Sequence, residues 1–305
     1  MSLSFDVATQ NHFDATKLHG VLPALSTPFK QGDKVDEKSF CAHLAFLKDA
    51  KVPGVVVAGT TGESLALSLE EKKQLFKLTR AALMENICIA GVACASLKDA
   101  LKEAEVAQNQ GMDALLVLPP YYVKADAKGL KDYFAALHQQ TSCPLILYNN
   151  PSRLGFDLSP PLIQELTALP RVIGLKDASS DLSRAQLLCH PKNNWALLGG
   201  DDTTFAAFLA MQGQGLISVG ANIAPHLYQT LLQAFDQNDL SLFKAVAQKL
   251  SALNQALAAH TNPKVIKYVL SLKGWGDGTL RIPLSPLSKG EKAHVEEVLT
   301  RLSLL

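Results

Sequence analysis

Residues 54–91 read GVVVAGTTGESLALSLEEKKQLFKLTRAALMENICIAG, with a helical pattern between two short apolar runs. The runs, Gly54–Ala58 and Ile87–Gly91, are continuous rather than alternating in polarity, which is typical of parallel strands that are covered on both faces. Ser68 and Glu71 stand at the spacing of a capping box, ahead of the apolar helical residues. The stretch therefore predicts one strand–helix–strand unit.

The same alternation continues through most of the chain, with a helical pattern between successive apolar runs. Eight runs occur in order: Val21–Ser26, Gly54–Ala58, Ile87–Gly91, Ala114–Leu118, Leu145–Tyr148, Val172–Lys176, Trp195–Leu198 and Leu216–Val219. Eight such units predict a closed α/β TIM barrel, (β/α)8, of parallel strands. An open doubly wound sheet is the alternative, but that fold rarely needs eight regular units.

Three more helical patterns follow the eighth run and predict a C-terminal helical extension. Pro263 is expected in the first turn of the second pattern, and Ser288 is expected to cap the third. We therefore divide the chain into an N-terminal extension (1–19), the barrel (20–236) and a C-terminal helical appendage (237–305).

Composition narrows the classes of function. The formal net charge is +1, without the basic excess that nucleic-acid binding usually requires. No apolar stretch approaches the roughly 18 residues of a membrane span, and the N-terminal residues lack the pattern of a signal peptide. Five cysteines without a C-x-x-C motif indicate reduced thiols rather than a disulfide framework. We expect a cytoplasmic protein that binds neither nucleic acid nor membrane.

The sixth run ends in Lys176, the most informative residue for function. Residues at the carboxyl ends of barrel strands form the active site in proteins of this fold. Desolvation disfavours the ammonium form of a lysine, and a neutral amine can attack a carbonyl carbon. The alternative is a structural lysine that extends out of the barrel mouth or pairs with the neighbouring Asp177.

Other run ends also carry polar or aromatic side chains. Hydroxyl groups between two glycines suit a small carboxylate, a tyrosine can carry protons, and an arginine can hold a carboxylate by two parallel bonds. A tight turn, packing aromatics and a surface arginine are the structural alternatives. The residues concerned are Thr60 and Thr61 after the second run, Tyr121 and Tyr122 after the fourth, and Tyr148 with Arg153 at the fifth.

Asp201 and Asp202 follow the seventh run, directly after Gly199 and Gly200. Barrels often bind phosphate near this position, but two carboxylates would repel it, so no phosphorylated substrate is expected. Asp202 is expected to cap the next helix. The sequence has no nucleotide-binding glycine motif, no H-E-x-x-H and no histidine at the strand ends, so we expect neither a metal nor a nucleotide cofactor.

Taken in order and spacing, these motifs resemble those of the dihydrodipicolinate synthase and N-acetylneuraminate lyase superfamily. The resemblance covers the chain from about residue 20 to the C-terminal helices. The matching motifs are Thr27-Pro-Phe29, Gly59-Thr-Thr-Gly-Glu63, Pro120-Tyr-Tyr122, Tyr148-Asn149, Pro151-Ser-Arg153, Gly174-Leu-Lys-Asp177 and Gly200-Asp-Asp202.

The resemblance implies a role for each matching residue. Lys176 would form an imine with pyruvate, so that no other cofactor is needed, and Tyr148 would pass protons to and from it. Thr60 would connect Tyr148 to Tyr122, which in the synthases comes from a neighbouring subunit of a dimer or a dimer-of-dimers tetramer. Thr61 would hold the pyruvate carboxylate. The main-chain carbonyl of Ile217 would line the pocket, and Gly200 would also contact substrate.

Arg153 places the chain nearest the synthase branch, where the arginine binds the carboxylate of aspartate semialdehyde. Cleavage of a 2-keto-3-deoxy sugar acid or of N-acetylneuraminate by the same lysine is the alternative. A sensor that binds a keto acid without turnover is a second alternative. The sequence departs from the synthases around the second substrate: Pro119 and Leu154 replace a usual Thr, Asn150 replaces an apolar residue, and 91–96 lacks a polar turn.

Some synthases of this family are inhibited by lysine at a dimer interface built from His, Asn and Glu side chains. The aligned positions here hold Leu65, Leu69, Lys72, Ala95 and Asp99. Apolar side chains offer the inhibitor no polar group, and Lys72 would place a like charge near it. We therefore expect weak or absent inhibition by lysine.

Overall fold

The computed structural model describes residues 15–30, 33–189 and 193–305. The first 14 residues of the predicted N-terminal extension lie outside this part of the chain. The strands of the described residues are β1 (Gly20–Pro23), β2 (Phe29–Lys30), β3 (Lys34–Val35), β4 (Gly54–Val57), β5 (Ile87–Ala93), β6 (Ala114–Leu118), β7 (Leu145–Asn149), β8 (Val172–Asp177), β9 (Ala196–Gly199) and β10 (Gly215–Ser218).

Helices follow the strands in regular alternation. They are α1 (Glu37–Asp49), α2 (Leu69–Ala82), α3 (Leu97–Asn109), α4 (Ala127–Gln140), α5 (Pro151–Leu154), α6 (Pro160–Thr167), α7 (Leu182–Leu188), α8 (Phe205–Ala210), α9 (Pro225–Asp236), α10 (Leu240–Ala258), α11 (Lys264–Leu272) and α12 (Lys289–Arg301). Each predicted apolar run overlaps a barrel strand, with ends that differ by at most a few residues, as is usual for element boundaries.

Eight parallel strands form the barrel in the order β1-β10-β9-β8-β7-β6-β5-β4. The circle closes between β1 and β4, where Ala24 pairs with Val56 and the Leu25 amide donates to the Val56 carbonyl over 2.8 Å. β2 and β3 form a separate antiparallel hairpin. The predicted TIM barrel is confirmed, and the open doubly wound sheet is excluded.

The strands are buried on both faces, which explains their continuous apolar sequences. In β6 the side chains of Ala114, Leu116 and Leu118 belong to the cluster inside the barrel, whereas Leu115 and Val117 pack between the strands and the helices. This alternation fixes which residues at the strand ends face the centre of the barrel.

The helical extension packs against the last βα units, since α10 contacts α9, α11 and α12. Ser288 caps α12 in a capping box with Glu291, as predicted. Pro263 lies at the N-cap of α11 rather than in its first turn. The extension thus begins its second helix beside the barrel mouth, where Asn262 lines the central cavity.

Candidate active site

A cavity of about 310 Å³ opens at the carboxyl ends of the barrel strands. Seven of the eight predicted site residues line it: Thr60, Thr61, Tyr148, Arg153, Lys176, Gly200 and Ile217. They come from five different βα units, and the barrel brings them together because parallel strands end on one face. Tyr122 is the predicted residue that does not line it.

Lys176 extends into this cavity from β8 and is 7% exposed. β8 pairs with β7 so that Lys176 lies beside Tyr148, with the Lys176 Nζ 4.3 Å from the centre of the Tyr148 ring. Asp177 is bound elsewhere, because Arg184 Nε donates to it over 3.2 Å. The structural alternatives for Lys176, extension into solvent or pairing with Asp177, are therefore excluded.

Among the residues that the structure describes, no carboxylate lies within 4.0 Å of the Lys176 amine. The amine is enclosed by the cavity walls and lies beside the Tyr148 ring. Its position is suited to nucleophilic attack on a carbonyl carbon bound in the cavity.

Tyr148 is the inward-facing residue at the end of β7 and is 6% exposed. Its phenol oxygen accepts a hydrogen bond from the Asn150 amide over 2.8 Å. Burial acts to raise the pKa of Tyr148, but the positive charge of Lys176 and hydrogen bonds with Asn150 and Thr60 outweigh it, so the pKa lies below its usual value. A phenol of this kind can release and recover a proton beside the amine.

The Thr60–Gly62 segment forms a short 3-10 turn directly after β4. Gly62 lies in a tightly packed place, because an added Cβ would lie 3.1 Å from the Leu25 carbonyl and 3.1 Å from Thr27 Oγ1. Thr27 Oγ1 donates to the Gly62 carbonyl over 2.8 Å. The first and second strand ends therefore fix the turn that presents both threonines to the cavity.

Glu63, whose backbone is left-handed with φ 56°, follows this turn and anchors it through its side chain. Its carboxylate accepts from Lys267 Nζ over 2.5 Å and from the Arg281 amide over 2.9 Å. Asn262 adds a further contact to the turn, because its Nδ2 donates to Thr61 Oγ1 over 3.0 Å. The helical extension thus holds the threonine turn in place.

Arg153 lies on α5 at the mouth of the cavity, and its side chain is exposed. Its Nη2 donates to the Asn262 carbonyl over 3.2 Å. Because Arg153 lines the cavity at an exposed position, its guanidinium can bind an anionic group that enters the cavity.

The segment after β9 corrects one prediction. Asp201, not Asp202, caps the following turn, because its carboxylate accepts from the Thr203 amide over 2.9 Å. Asp202 instead turns inward, binds the Ser218 hydroxyl and accepts from the Val219 amide over 2.8 Å. Burial raises the pKa of Asp202 even though these hydrogen bonds oppose the shift.

Gly200 and Ile217 shape the wall of the cavity. The Gly200 amide donates to the Asp177 carbonyl over 2.7 Å, and an added Cβ would lie 2.6 Å from that of Ala178. Ile217 is 1% exposed and faces the interior from β10. Glycine therefore permits the close approach of two strand ends next to Lys176.

Tyr122 does not line this cavity and is 90% exposed. Its backbone is left-handed, with φ 72°, which is uncommon for a bulky residue. A single chain therefore does not bring Tyr122 to Tyr148 and Thr60. The expected relay through Tyr122 would need the tyrosine of a second chain.

Sequence reasoning missed two asparagines at the site. Asn150 stood out only as a departure from related sequences, and Asn262 only as part of a helix start. Asn262 lies 109 positions from Arg153 along the chain, so no local pattern connects the two residues. The side chain of Asn150 faces Tyr148 only because α5 begins immediately after β7.

Comparisons with known proteins agree with the fold and identify the family. The profile of the dihydrodipicolinate synthetase family matches residues 17–302. The 4-hydroxy-tetrahydrodipicolinate synthase of Archaeoglobus fulgidus is 34% identical over 287 residues, covering 94% of this chain and 99% of that protein.

Two solved structures show the same fold. Dihydrodipicolinate synthase of Acinetobacter baumannii, in complex with pyruvate, has a TM-score of 0.91 at 31% identity, covering 94% of this chain and 100% of that chain. A structure described as the first monomeric dihydrodipicolinate synthase variant has a TM-score of 0.92 at 28% identity, covering 97% and 100%.

The fold and the cavity define a (β/α)8-barrel protein with a buried lysine and tyrosine side by side at its strand ends. With the family profile matching nearly its whole length, the chain belongs to the dihydrodipicolinate synthetase family. This membership confirms the resemblance seen in the motifs. Among the described helices, none combines the length and apolar character needed to cross a bilayer.

Proposed function

We propose that this protein is a carbon–carbon lyase that condenses pyruvate with aspartate semialdehyde to give 4-hydroxy-tetrahydrodipicolinate. The observation that carries the proposal is the in-register pair of Lys176 and Tyr148, which face one cavity from adjacent strands. An amine beside an acidified phenol supplies the nucleophile and the proton carrier that imine chemistry uses.

The reaction begins when the Lys176 amine attacks the keto carbon of pyruvate and water leaves, forming an imine. The imine nitrogen draws electrons from the methyl group, which loses a proton and becomes the nucleophilic carbon of an enamine. That carbon attacks the aldehyde of the second substrate. The substrate amine then replaces Lys176 at the former keto carbon, which closes the ring and frees the lysine. The chemistry needs no resident cofactor, because the imine itself accepts the electron pair.

The proposed binding roles follow from position. Thr61, held by Asn262, is placed to bind the pyruvate carboxylate, with Ile217 and Gly200 forming the adjacent wall. Arg153 at the mouth is placed to bind the carboxylate of aspartate semialdehyde. Tyr148 transfers the protons, aided by Thr60, which contributes to lowering its pKa.

We also propose that the protein works as a homo-oligomer, a dimer or a dimer of dimers, with Tyr122 entering a neighbour's site. Exposed apolar side chains at the strand ends support this assembly: Tyr122 is 90% exposed, Leu65 is 64% exposed and Val123 is 56% exposed. Light scattering combined with the Tyr122→Phe variant tests it. We expect slower turnover without unfolding, and a fully active monomer would exclude the shared site.

The location of the protein is proposed to be the cytoplasm. The five cysteines are free, and burial raises the pKa of the Cys88 thiol to about 12, which keeps it unreactive. Such thiols fit a reducing compartment.

Cleavage of a sugar acid or of N-acetylneuraminate by the same lysine is the second candidate. Arg153 favours the synthase, because an aldehyde that carries a carboxylate needs a cation at the mouth, whereas a sugar chain needs hydroxyl-binding groups. A panel of aldehydes tests this choice. We expect turnover with aspartate semialdehyde and little with N-acetylmannosamine or a short hydroxyaldehyde.

The central experiment is reductive trapping. Incubation with pyruvate and borohydride should add one reduced pyruvate adduct to Lys176, read by intact mass and peptide mapping. Lys176→Ala should remove the adduct, whereas Lys128→Ala, at a side chain that is 81% exposed, should keep it. A wild-type protein that stays unmodified, or one modified at another lysine, would contradict the proposed mechanism.

A further inference from the structure

Asn150 occupies an unusual place between β7 and α5. It is the N-cap residue of α5, a position where asparagine normally accepts a hydrogen bond from the first helical turn. Here the Asn150 side chain makes no capping bond, and the residue is only 8% exposed. The side chain therefore serves a contact other than the start of the helix.

That contact is the phenol oxygen of Tyr148. Asn150 Nδ2 donates to it over 2.8 Å, and Ser152 Oγ donates to Asn150 Oδ1 over 2.8 Å. Because the Ser152 hydroxyl occupies the amide oxygen, the amide presents its N–H group to the phenol. Both polar ends of a buried side chain are thus committed, which fixes its orientation.

We propose that Asn150, oriented by Ser152, is a positioning residue that holds the Tyr148 oxygen toward the cavity and makes loss of the phenol proton easier. The inference rests on the proposed role of Tyr148 as proton carrier. A hydrogen bond donated to the oxygen is stronger when that oxygen is ionised, so it favours the phenolate. An apolar side chain at position 150 would leave this side of the oxygen without a donor.

Other groups also lower the pKa of Tyr148, and they lie on different elements of the barrel. Lys176 on β8 and Arg153 on α5 supply positive charge, and Thr60 supplies a hydroxyl from the turn after β4. Three further ionisable groups line the same cavity, namely Asp201, Asp202 and His260. Asn150 differs from the charged groups because it is neutral, and it is the neighbour whose amide donates a 2.8 Å hydrogen bond to the phenol oxygen.

The test measures the ionisation of Tyr148 directly. The full chain, labelled at the ring carbon that bears the hydroxyl, is titrated by NMR without substrate, and Tyr148→Phe assigns the signal among six tyrosines. Asn150→Leu should raise the midpoint by about one pH unit, a tenfold change in the ionisation constant. Ser152→Ala should raise it less, since the amide stays but can rotate.

Asn109→Leu is the matched control, because Asn109 is exposed at the end of α3 and far in sequence from the site. It should leave the Tyr148 midpoint unchanged. An unchanged midpoint in folded Asn150→Leu overturns the inference. If that variant does not fold, an unchanged midpoint in Ser152→Ala overturns it equally.

Reductive trapping with pyruvate separates this inference from the proposed function. We expect wild type and Asn150→Leu both to form the Lys176 adduct, because the amine is intact in each. A missing adduct in wild type overturns the imine mechanism whatever the titration shows. A midpoint that shifts as expected supports the contact between Asn150 and Tyr148 whatever the trapping shows.

Discussion

The region around Lys176 and the region around Lys267 bury a lysine in two different ways. Lys176 is 7% exposed and Lys267 is 3% exposed. Each amine lies over an aromatic ring, 4.3 Å from the centre of Tyr148 and 3.9 Å from the centre of Phe29. Only Lys267 has a carboxylate partner, because Glu63 Oε1 lies 2.5 Å from its Nζ.

This difference shows that burial alone does not identify a reactive lysine. Burial lowers the pKa of Lys267, but the Glu63 carboxylate opposes that shift by stabilising the ammonium form. A paired ammonium cannot serve as a nucleophile, and it holds the threonine turn in position instead. Lys176 forms no ion pair among the described residues and faces the cavity, where its amine is placed for the proposed attack on pyruvate.

The largest expected effect comes from removing the unpaired amine. Lys176→Met should reduce turnover by roughly four orders of magnitude or more, because the nucleophile is lost. The free energy of unfolding should rise by about 0.5 to 2 kcal/mol, since an enclosed polar group becomes apolar. Steady-state kinetics and urea unfolding measure both. A clear loss of stability would show that Lys176 also supports the fold.

Removing the paired amine of Lys267 should lower the stability of the fold more than it affects the proposed chemistry. Lys267→Met should lower the free energy of unfolding by about 3 to 5 kcal/mol, because the Glu63 carboxylate stays buried without its partner. Adding Glu63→Gln should recover part of this loss by removing the uncompensated charge. Urea unfolding measures the change, and the folded fraction should still form the pyruvate adduct on Lys176.

The control for that variant is Lys128→Met on the exposed face of α4, which should change stability by less than about 0.5 kcal/mol. If Lys267→Met changes the free energy of unfolding equally little, the contrast between the two lysines does not hold. The buried ion pair would then contribute little to the fold.

A smaller effect is expected at the mouth of the cavity. Arg153→Ala should raise the transition-state free energy with aspartate semialdehyde by about 2 to 4 kcal/mol, because a charge-assisted carboxylate contact is lost. Pyruvate trapping on Lys176 should stay nearly intact. Parallel assays of kcat/KM and of adduct formation measure the two steps. Equal loss of both would assign Arg153 to structure rather than to the second substrate.

Lys72 is a third buried lysine that can be compared with Lys176 and Lys267. Lys72 is 2% exposed and is paired with Glu103, so its charge is compensated and does not simply repel an inhibitor as the sequence suggested. Leu69 and Ala95 still offer no polar group for a bound amino acid. We expect half-inhibition by lysine only above about a millimolar, a binding free energy weaker than roughly −4 kcal/mol. A turnover assay against added lysine measures it, and inhibition at micromolar concentrations would contradict the expectation.

The barrel and the position of Lys176 in its cavity could be predicted because both are local signals. Each strand is buried on two faces, so its residues are continuously apolar, and Lys176 interrupts that rule at a strand end. The alternation of side chains along β8 then places Lys176 inside and Asp177 outside.

Contacts between distant segments could not be predicted in this way. Asp201 and Asp202 are equally good capping residues by type, and only the position of Ser218 on the neighbouring strand decides which one turns inward. Lys267 reads as one more residue of an amphipathic helix, although its partner Glu63 lies 204 positions away. Tyr122 does not line the cavity of its own chain.

The contacts that Asn262 and Lys267 make with the threonine turn also determine which part of this chain could be transplanted as a working unit. A barrel cut after residue 236 would keep all eight strands and lose both contacts, leaving Thr61 without its amide donor and Glu63 without its counter-ion. An engineer who moves this cavity and its side chains to another scaffold should therefore carry the segment from Asn262 to Arg281 with it. Insertions and fusions are better tolerated after α12, where the chain has already made these contacts.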